Sequence, residues 1–183
     1  MVFRPPRVAR KLWAKLKKDR RLSDRMLQQE FPDIPAAEMA LVKSALQNSM
    51  VSTSRMVALL DAVKYVHAQG IPGDIVECGV WRGGSMALCA SWLEKQEDRG
   101  RKIWLYDTFA GMVPPGGRDR RSSGVAALDI LEKERYRIDS SRVWAISNLE
   151  EVKFNLKATG YPEDKLVFVE GRVEETLKHR LPD

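Results

Sequence analysis

The sequence predicts an α/β fold, a parallel sheet with helices on both of its faces, and three observations carry that prediction. Residues 73–85 read Gly-Asp-Ile-Val-Glu-Cys-Gly-Val-Trp-Arg-Gly-Gly-Ser, a short apolar run that reaches an acidic residue and then a glycine-rich turn opening a helix-like segment from Met86 to Glu94. Strand, tight loop and helix N-terminus in that order form the arrangement in which parallel sheets bind nucleotide-like ligands. The run Ile103 to Tyr106 is apolar on both faces, as a buried parallel strand is, and it ends in Asp107. A third such run, Lys165 to Val169, follows after segments of helical period. Right-handed crossovers then give the strand order 3-2-1, half of a doubly wound, Rossmann-like sheet.

Bulk composition narrows the class. At 183 residues the chain holds one domain of ordinary size, and a hydrophobic share of 44% argues against disorder. No apolar run reaches the length of about 18 residues that a membrane span needs, and the N-terminus lacks the apolar core of a secretory signal. A soluble, cytoplasmic chain is expected. Cys78 and Cys89 have no metal-like spacing and are expected as buried, reduced thiols. The net charge of +6 is unevenly held: ten of the 31 Lys and Arg, but two of the 25 Asp and Glu, fall in residues 1–25, which leaves the remainder near −2. The basic character belongs to an N-terminal arm.

That arm, residues 1–27, places Val8, Leu12 and Leu16 at intervals of four beside Ala9 and Trp13, the pattern of a short amphipathic basic helix. It reads as a solvated tail resting on its own domain or on an oligomer neighbour. Weak contact with an acidic membrane surface is the alternative; nucleic acid is not expected, because the aromatic interleaving of single-strand binders is missing. Residues 28–183 form the α/β domain. Phe31 to Pro35 is a proline-punctuated turn, and a helix follows from Ala36 to Gln47. Ser52, Thr53 and Ser54 cap a second helix whose apolar positions Met56, Val57, Leu60, Val63 and Val66 keep helical spacing up to Gly70. His67 reads as an exposed helical histidine.

Beyond the second strand, Gly111 to Arg121 is a long loop of the kind that forms lids. A helix from Val125 to Arg137, an extended segment over residues 143–146, and a helix from Asn148 to Ala158 come next. Thr159 to Pro162 turns the chain into the third strand, and a last helix covers Glu174 to Lys178. With three strands the first has an open, apolar edge, so the chain reads as a domain incomplete at its C-terminus.

The spacing of the glycine turn selects the ligand. A dinucleotide fingerprint needs a second glycine where Trp81 stands, so a pyrophosphate is a poor candidate. An acidic residue two positions before the first glycine, Glu77 before Gly79, suits S-adenosylmethionine (SAM), for which no phosphate must be cradled. Glu77 can accept from a ligand amine or hydroxyl. Asp107, 24 residues after Gly83, stands where α/β nucleotide sites take the ribose hydroxyls; a turn cap is its structural alternative. Phe109 could lie against an adenine ring or belong to the core.

The strings Gly73 to Gly84, Tyr106-Asp-Thr-Phe-Ala-Gly-Met112 and Gly160-Tyr-Pro162 through Phe168-Val-Glu-Gly171 resemble, in order and spacing, the macrocin O-methyltransferase (TylF-type) family, from about Gln28 to the C-terminus. The resemblance implies a class I methyltransferase fold with an N-terminal helical extension, and SAM-dependent methylation of a sugar or natural-product hydroxyl. It implies that Glu77 and the backbone around Gly79 and Gly83 hold the methionine part of SAM, that Asp107 takes the ribose, that Thr108 and Phe109 border the adenosine, and that Gly171, Arg172 and Val173 lie beside the adenine. It also implies that the Ser52 to Arg55 turn, Ser54 included, reaches the cofactor from the N-terminal side and that Cys78, Val80, Arg82, Gly84 and Ser85 complete the cofactor-binding loop. The family also implies Mg²⁺, but its aspartate ligands and its acidic catalytic residue fall on the fourth and fifth strands, which this chain does not contain. No catalytic residue is assigned. A small-molecule acceptor and a homo-oligomer are the expected partners, and a catalytically inactive SAM-binding or partner-binding module is the alternative function.

Overall fold

The computed structural model describes residues 24–134 and 145–182. By internal contacts the chain divides into residues 1–40 and 41–183, a boundary that falls inside a helix. Most of the basic amphipathic arm lies outside the described residues. In the first unit, helix α1 (Asp24–Glu30) runs into the proline-punctuated turn, where Phe31 N–H donates to the Leu27 carbonyl and Gln28 Nε2 donates to the Ile34 carbonyl at 3.1 Å. Helix α2 (Ala36–Leu46) starts where the Pro35 carbonyl accepts from Met39 N–H. Leu27, Ile34 and Met39 are the buried side chains among the described residues of this unit.

The second unit is built on three parallel strands in the order β1-β2-β3: β1 (Ile75–Cys78), β2 (Ile103–Asp107) and β3 (Leu166–Glu170). Glu77 pairs with Leu105, Tyr106 with Val169 and Asp107 with Glu170, so the three strands end together. Helix α3 (Thr53–Ala68) is capped by the Ser52 hydroxyl, which accepts from Arg55 N–H. Helix α4 (Gly84–Lys95) packs against α3, β2 and helix α6 (Leu149–Lys157). Its Met86, Leu88, Cys89, Ala90, Trp92 and Leu93 are all buried, a pattern too wide for a surface helix. Burying each Leu contributes about 2 kcal/mol, so α4 is the centre of this core. Helix α5 (Ala127–Glu134) follows the long loop, and α7 (Val173–Thr176) follows β3.

Strand alternation gives the sheet two unlike faces. Ile75, Glu77, Ile103 and Leu105 share the face covered by α4. On the other face Trp104, Tyr106 and Val169 form a cluster with Val167, Val173 and Leu177; the Trp104 and Tyr106 rings stack 6.2 Å apart, and Tyr106 Oη donates to the Arg180 carbonyl. That cover reaches β2 and β3 but leaves Val76 42% exposed. Cys78 shares its face. The expectation of two buried thiols is therefore corrected: both cysteines are free, Cys89 is buried, and Cys78 is exposed.

Other differences are local. Ala145 has φ +47 in a turn, so the extended segment expected over 143–146 is not extended there, and Val143 and Trp144 lie outside the described residues. His67 is not a free surface histidine: Nδ1 is 2.9 Å from Asp98 Oδ2, and the ring meets Trp92 edge-on at 5.3 Å. Helix α4 begins two residues earlier than its apolar spacing suggests, because Gly83 at φ +80 serves as its N-cap. Among the described residues no helix is long and apolar enough to cross a membrane.

Candidate functional site

The site lies where the three strands end, within residues 41–183. At the end of β1, Glu77 turns its carboxylate under α4, where the Ser85 hydroxyl bonds to it. The residue keeps some exposure, but its Oε2 is closed off from solvent and has no hydrogen-bond partner. Burial pushes the Glu77 carboxyl up to about 7 from 4.5; the Ser85 bond opposes the shift, and the charge of Asp107 adds to it. A buried carboxylate oxygen without a donor is costly, so this one calls for a donor from outside the chain, a ligand group or an ordered water. The same burial, with the charge of Glu77, pushes the Cys89 thiol up to about 12, so this cysteine stays protonated.

The loop after β1 carries the strain. Gly79 has φ +87, and nothing stands within 4 Å of where a Cβ would be, so its Cα faces open space. Its N–H donates to the Tyr106 carbonyl at 2.8 Å. Trp81 has φ +50 and Phe109 has φ +49, two of the four non-glycine residues with positive φ among the described residues. Bulky side chains adopt that conformation only when the surroundings impose it. Here Asp107 imposes it: Oδ2 accepts from Val80 N–H at 2.6 Å and Trp81 N–H at 3.1 Å, while Oδ1 accepts from Phe109 N–H at 2.9 Å. The Asp107 carbonyl accepts from Gly171 N–H at 2.9 Å, which ties the third loop to the second.

The structure thus brings together Glu77, Gly79, Val80, Ser85, Asp107, Thr108, Phe109 and the backbone of Gly171. It places other sequence-selected residues elsewhere. Gly83 and Gly84 serve packing: a Cβ on Gly83 would stand 2.7 Å from Leu156 Cδ2, and one on Gly84 would stand 2.5 Å from the Asn48 carbonyl oxygen and 2.6 Å from that of Ala45. Arg82 turns toward α6: its carbonyl accepts from Asn155 Nδ2 at 3.0 Å. Its Nε stands 3.1 Å from Glu151 Oε1 as an ion pair, though the N–H is not aligned for a hydrogen bond. Val173 packs on the Trp104 cluster, Arg172 is exposed 3.7 Å from Glu174, and Ser54 is exposed on the first turn of α3. Phe109 is buried.

Two parts of this region escape sequence reasoning. Trp81 occupies a left-handed position with the Arg82 guanidinium 5.0 Å from its ring centre, and Asn155 holds the loop from 73 residues away. The only sequence signal for the first was a tryptophan where a fingerprint glycine would stand; for the second there was none.

The donor set suits SAM at one point that the structure itself marks: the orphaned Glu77 oxygen can accept from an amino group, beside a glycine whose Cα side is open. A metal does not fit in the same way. Among the described residues no group of three or more His, Cys, Asp or Glu could hold an ion, so the Mg²⁺ implied by the resemblance has no matching ligands here.

Comparison with known proteins gives one consistent result. The model of the family described as Macrocin-O-methyltransferase (TylF) matches residues 1–182. The 8-demethyl-8-(2,3-dimethoxy-alpha-L-rhamnosyl)-tetracenomycin-C 4'-O-methyltransferase of Streptomyces olivaceus is 33% identical over 133 residues, 73% of this chain and 47% of that protein. The demethyldecarbamoylnovobiocin O-methyltransferase of Streptomyces niveus is 31% identical over 130 residues, 71% of this chain and 46% of that protein. Among solved structures, the O-methyltransferase NovP superposes with a TM-score of 0.56 at 29% identity, over 74% of this chain and 52% of that one. The chain spans about half the length of the curated relatives it matches.

Proposed function

The chain belongs to the macrocin O-methyltransferase (TylF) family, and from that premise we propose that it binds SAM at the C-terminal ends of β1 and β2 and serves methyl transfer to a hydroxyl of a sugar or natural product. The observation that carries the reading is the buried, unpartnered Oε2 of Glu77 beside the open Cα of Gly79. When bound, SAM supplies an electrophilic methyl group on a positively charged sulfur.

What the residues of this chain do follows from their geometry. Glu77 accepts from the ligand ammonium, an interaction strongest when its carboxyl is ionised. Ser85 orients that carboxylate from the first turn of α4. Gly79 leaves room for the ligand to approach the backbone. Val80 and Phe109 close the site toward the core. The names of the matched proteins favour an enzyme over an inactive binding module.

Calorimetric titration of SAM and S-adenosylhomocysteine into the purified chain tests the proposal. Saturable binding of both is expected at micromolar concentration, with Glu77→Gln weakening it by roughly 10- to 100-fold. A folded sample that binds neither would refute it.

A further inference from the structure

We propose that Asp107 is a positioning residue, whose carboxylate assembles the loops of the ligand site by holding their backbone and does not itself contact the ribose. The proposal rests on the SAM reading of the site but makes a different claim about this carboxylate from the one its strand-end position suggests.

An ionised carboxylate offers about four lone-pair directions. Val80 and Trp81 N–H take both positions of Oδ2 at 2.6 and 3.1 Å, and Phe109 N–H takes one of Oδ1 at 2.9 Å, which leaves one; the Thr108 hydroxyl, 3.5 Å from Oδ1, donates at 3.0 Å to the Gly111 carbonyl. A ribose diol needs two acceptor positions on one carboxylate, and it could obtain the second here only by displacing a backbone amide. Displacement is unfavourable for a second reason. Both Trp81 and Phe109 have left-handed backbones, at φ +50 and +49, and both N–H groups donate to Asp107. Release of the carboxylate would remove what holds two bulky residues in a conformation they otherwise avoid.

Asp107 also acts beyond its side chain. Its carbonyl accepts from Gly171 N–H at 2.9 Å. One residue therefore joins the loop after β1, its own turn after β2, and the loop after β3. The Trp81 backbone it fixes leads directly into Arg82, whose guanidinium lies 5.0 Å from the Trp81 ring centre.

The test separates indirect from direct action. In the ligand-free parent chain the amide hydrogens of Val80 and Trp81 should exchange slowly, and Asp107→Asn should speed them by about tenfold or more while β2 amides keep their protection. The binding arm uses S-adenosylhomocysteine and its 2',3'-dideoxy analogue. Asp107→Asn should weaken both by the same factor, about tenfold, because the loop and not the diol is what it loses. A loss confined to the hydroxylated ligand, with the dideoxy analogue bound within twofold of the parent, would overturn the proposal. Should Asp107→Asn fail to fold, the parent decides: fast exchange at Val80 and Trp81 in a folded, ligand-free sample overturns it, and slow exchange upholds it. A parent that binds neither ligand would sink the SAM reading and leave the positioning role to be judged by the exchange rates alone.

Discussion

The two ends of the sheet use their carboxylates in opposite ways. At the end where the strands begin, the carboxylates of Asp74 and Asp98 both have their partners. Asp74 accepts from Lys102 N–H at 2.9 Å and from Trp104 Nε1 at 2.7 Å, and Asp98 meets His67 and Arg101. Burial opposes the ionisation of Asp98, yet His67 and Arg101 hold its carboxyl below the ordinary range. Arg101 in turn donates to the carbonyls of Gly73 and Ile71, and the Tyr161 hydroxyl donates to the Asp98 and Arg101 carbonyls. At the end where the strands stop, Glu77 has a buried oxygen without a donor, and two residues with large side chains are held in left-handed backbone. The first end spends its polar groups on closing the fold. The second keeps capacity in reserve, and reserved capacity is what a ligand can use.

Mutations at the two ends should therefore separate stability from binding. The largest effect is expected for Asp74→Ala, which leaves the Trp104 indole and Lys102 N–H without their acceptor and should destabilise the chain by about 2–4 kcal/mol. Chemical denaturation measures it, and S-adenosylhomocysteine affinity should stay within twofold of the parent. Glu77→Gln should do the reverse. Loss of a charged acceptor should weaken S-adenosylhomocysteine by about 1.5–3 kcal/mol, roughly 10- to 100-fold. Its folded-state value of about 7 lies above the 4.5 of the unfolded chain, so Glu77 favours the fold fully only below the unfolded value, and that contribution is lost as pH rises through about 7. Glu77→Gln should accordingly raise Tm over the parent more at about pH 8 than at about pH 5. A Tm gain independent of pH would break the link between burial and the missing donor.

Gly79→Ala comes next. Its Cβ meets no atom of the chain, but φ +87 imposes strain of about 1–2 kcal/mol, and the methyl group would enter the ligand's space. Binding should fall further than stability does, and titration beside denaturation checks the order. The smallest effect belongs to His67→Ala. This side chain is 35% exposed, so loss of its pairing with Asp98 should cost roughly 0.5–1 kcal/mol and leave binding unchanged.

The fold was more legible than the site, for a physical reason. Ile103 to Tyr106 and Leu166 to Val169 show their strands because buried parallel strands are apolar throughout, a property written in consecutive residues. The loop glycines show only that a Cβ is excluded, not by what. Gly79 faces open space, while Gly83 faces Leu156 and Gly84 faces the backbone at Ala45 and Asn48; sequence spacing treats the three alike. Asp107 stood out by position, but its donors are backbone amides, which carry no residue signature. Cys78 looked buried because β1 is apolar, whereas its exposure depends on how far the segment around Val173 and Leu177 extends across the sheet.

The most direct measurement is the affinity of the parent chain for S-adenosylhomocysteine across the titration of Glu77. With the carboxyl at about 7 and the ammonium of the ligand as its partner, binding is expected to be roughly tenfold tighter at about pH 7.5 than at about pH 6, with a proton released on binding at the lower value. Glu77→Gln should flatten that profile. Affinities that agree within twofold across the range in the folded parent would contradict the assignment of Glu77 as the acceptor on which the site is built.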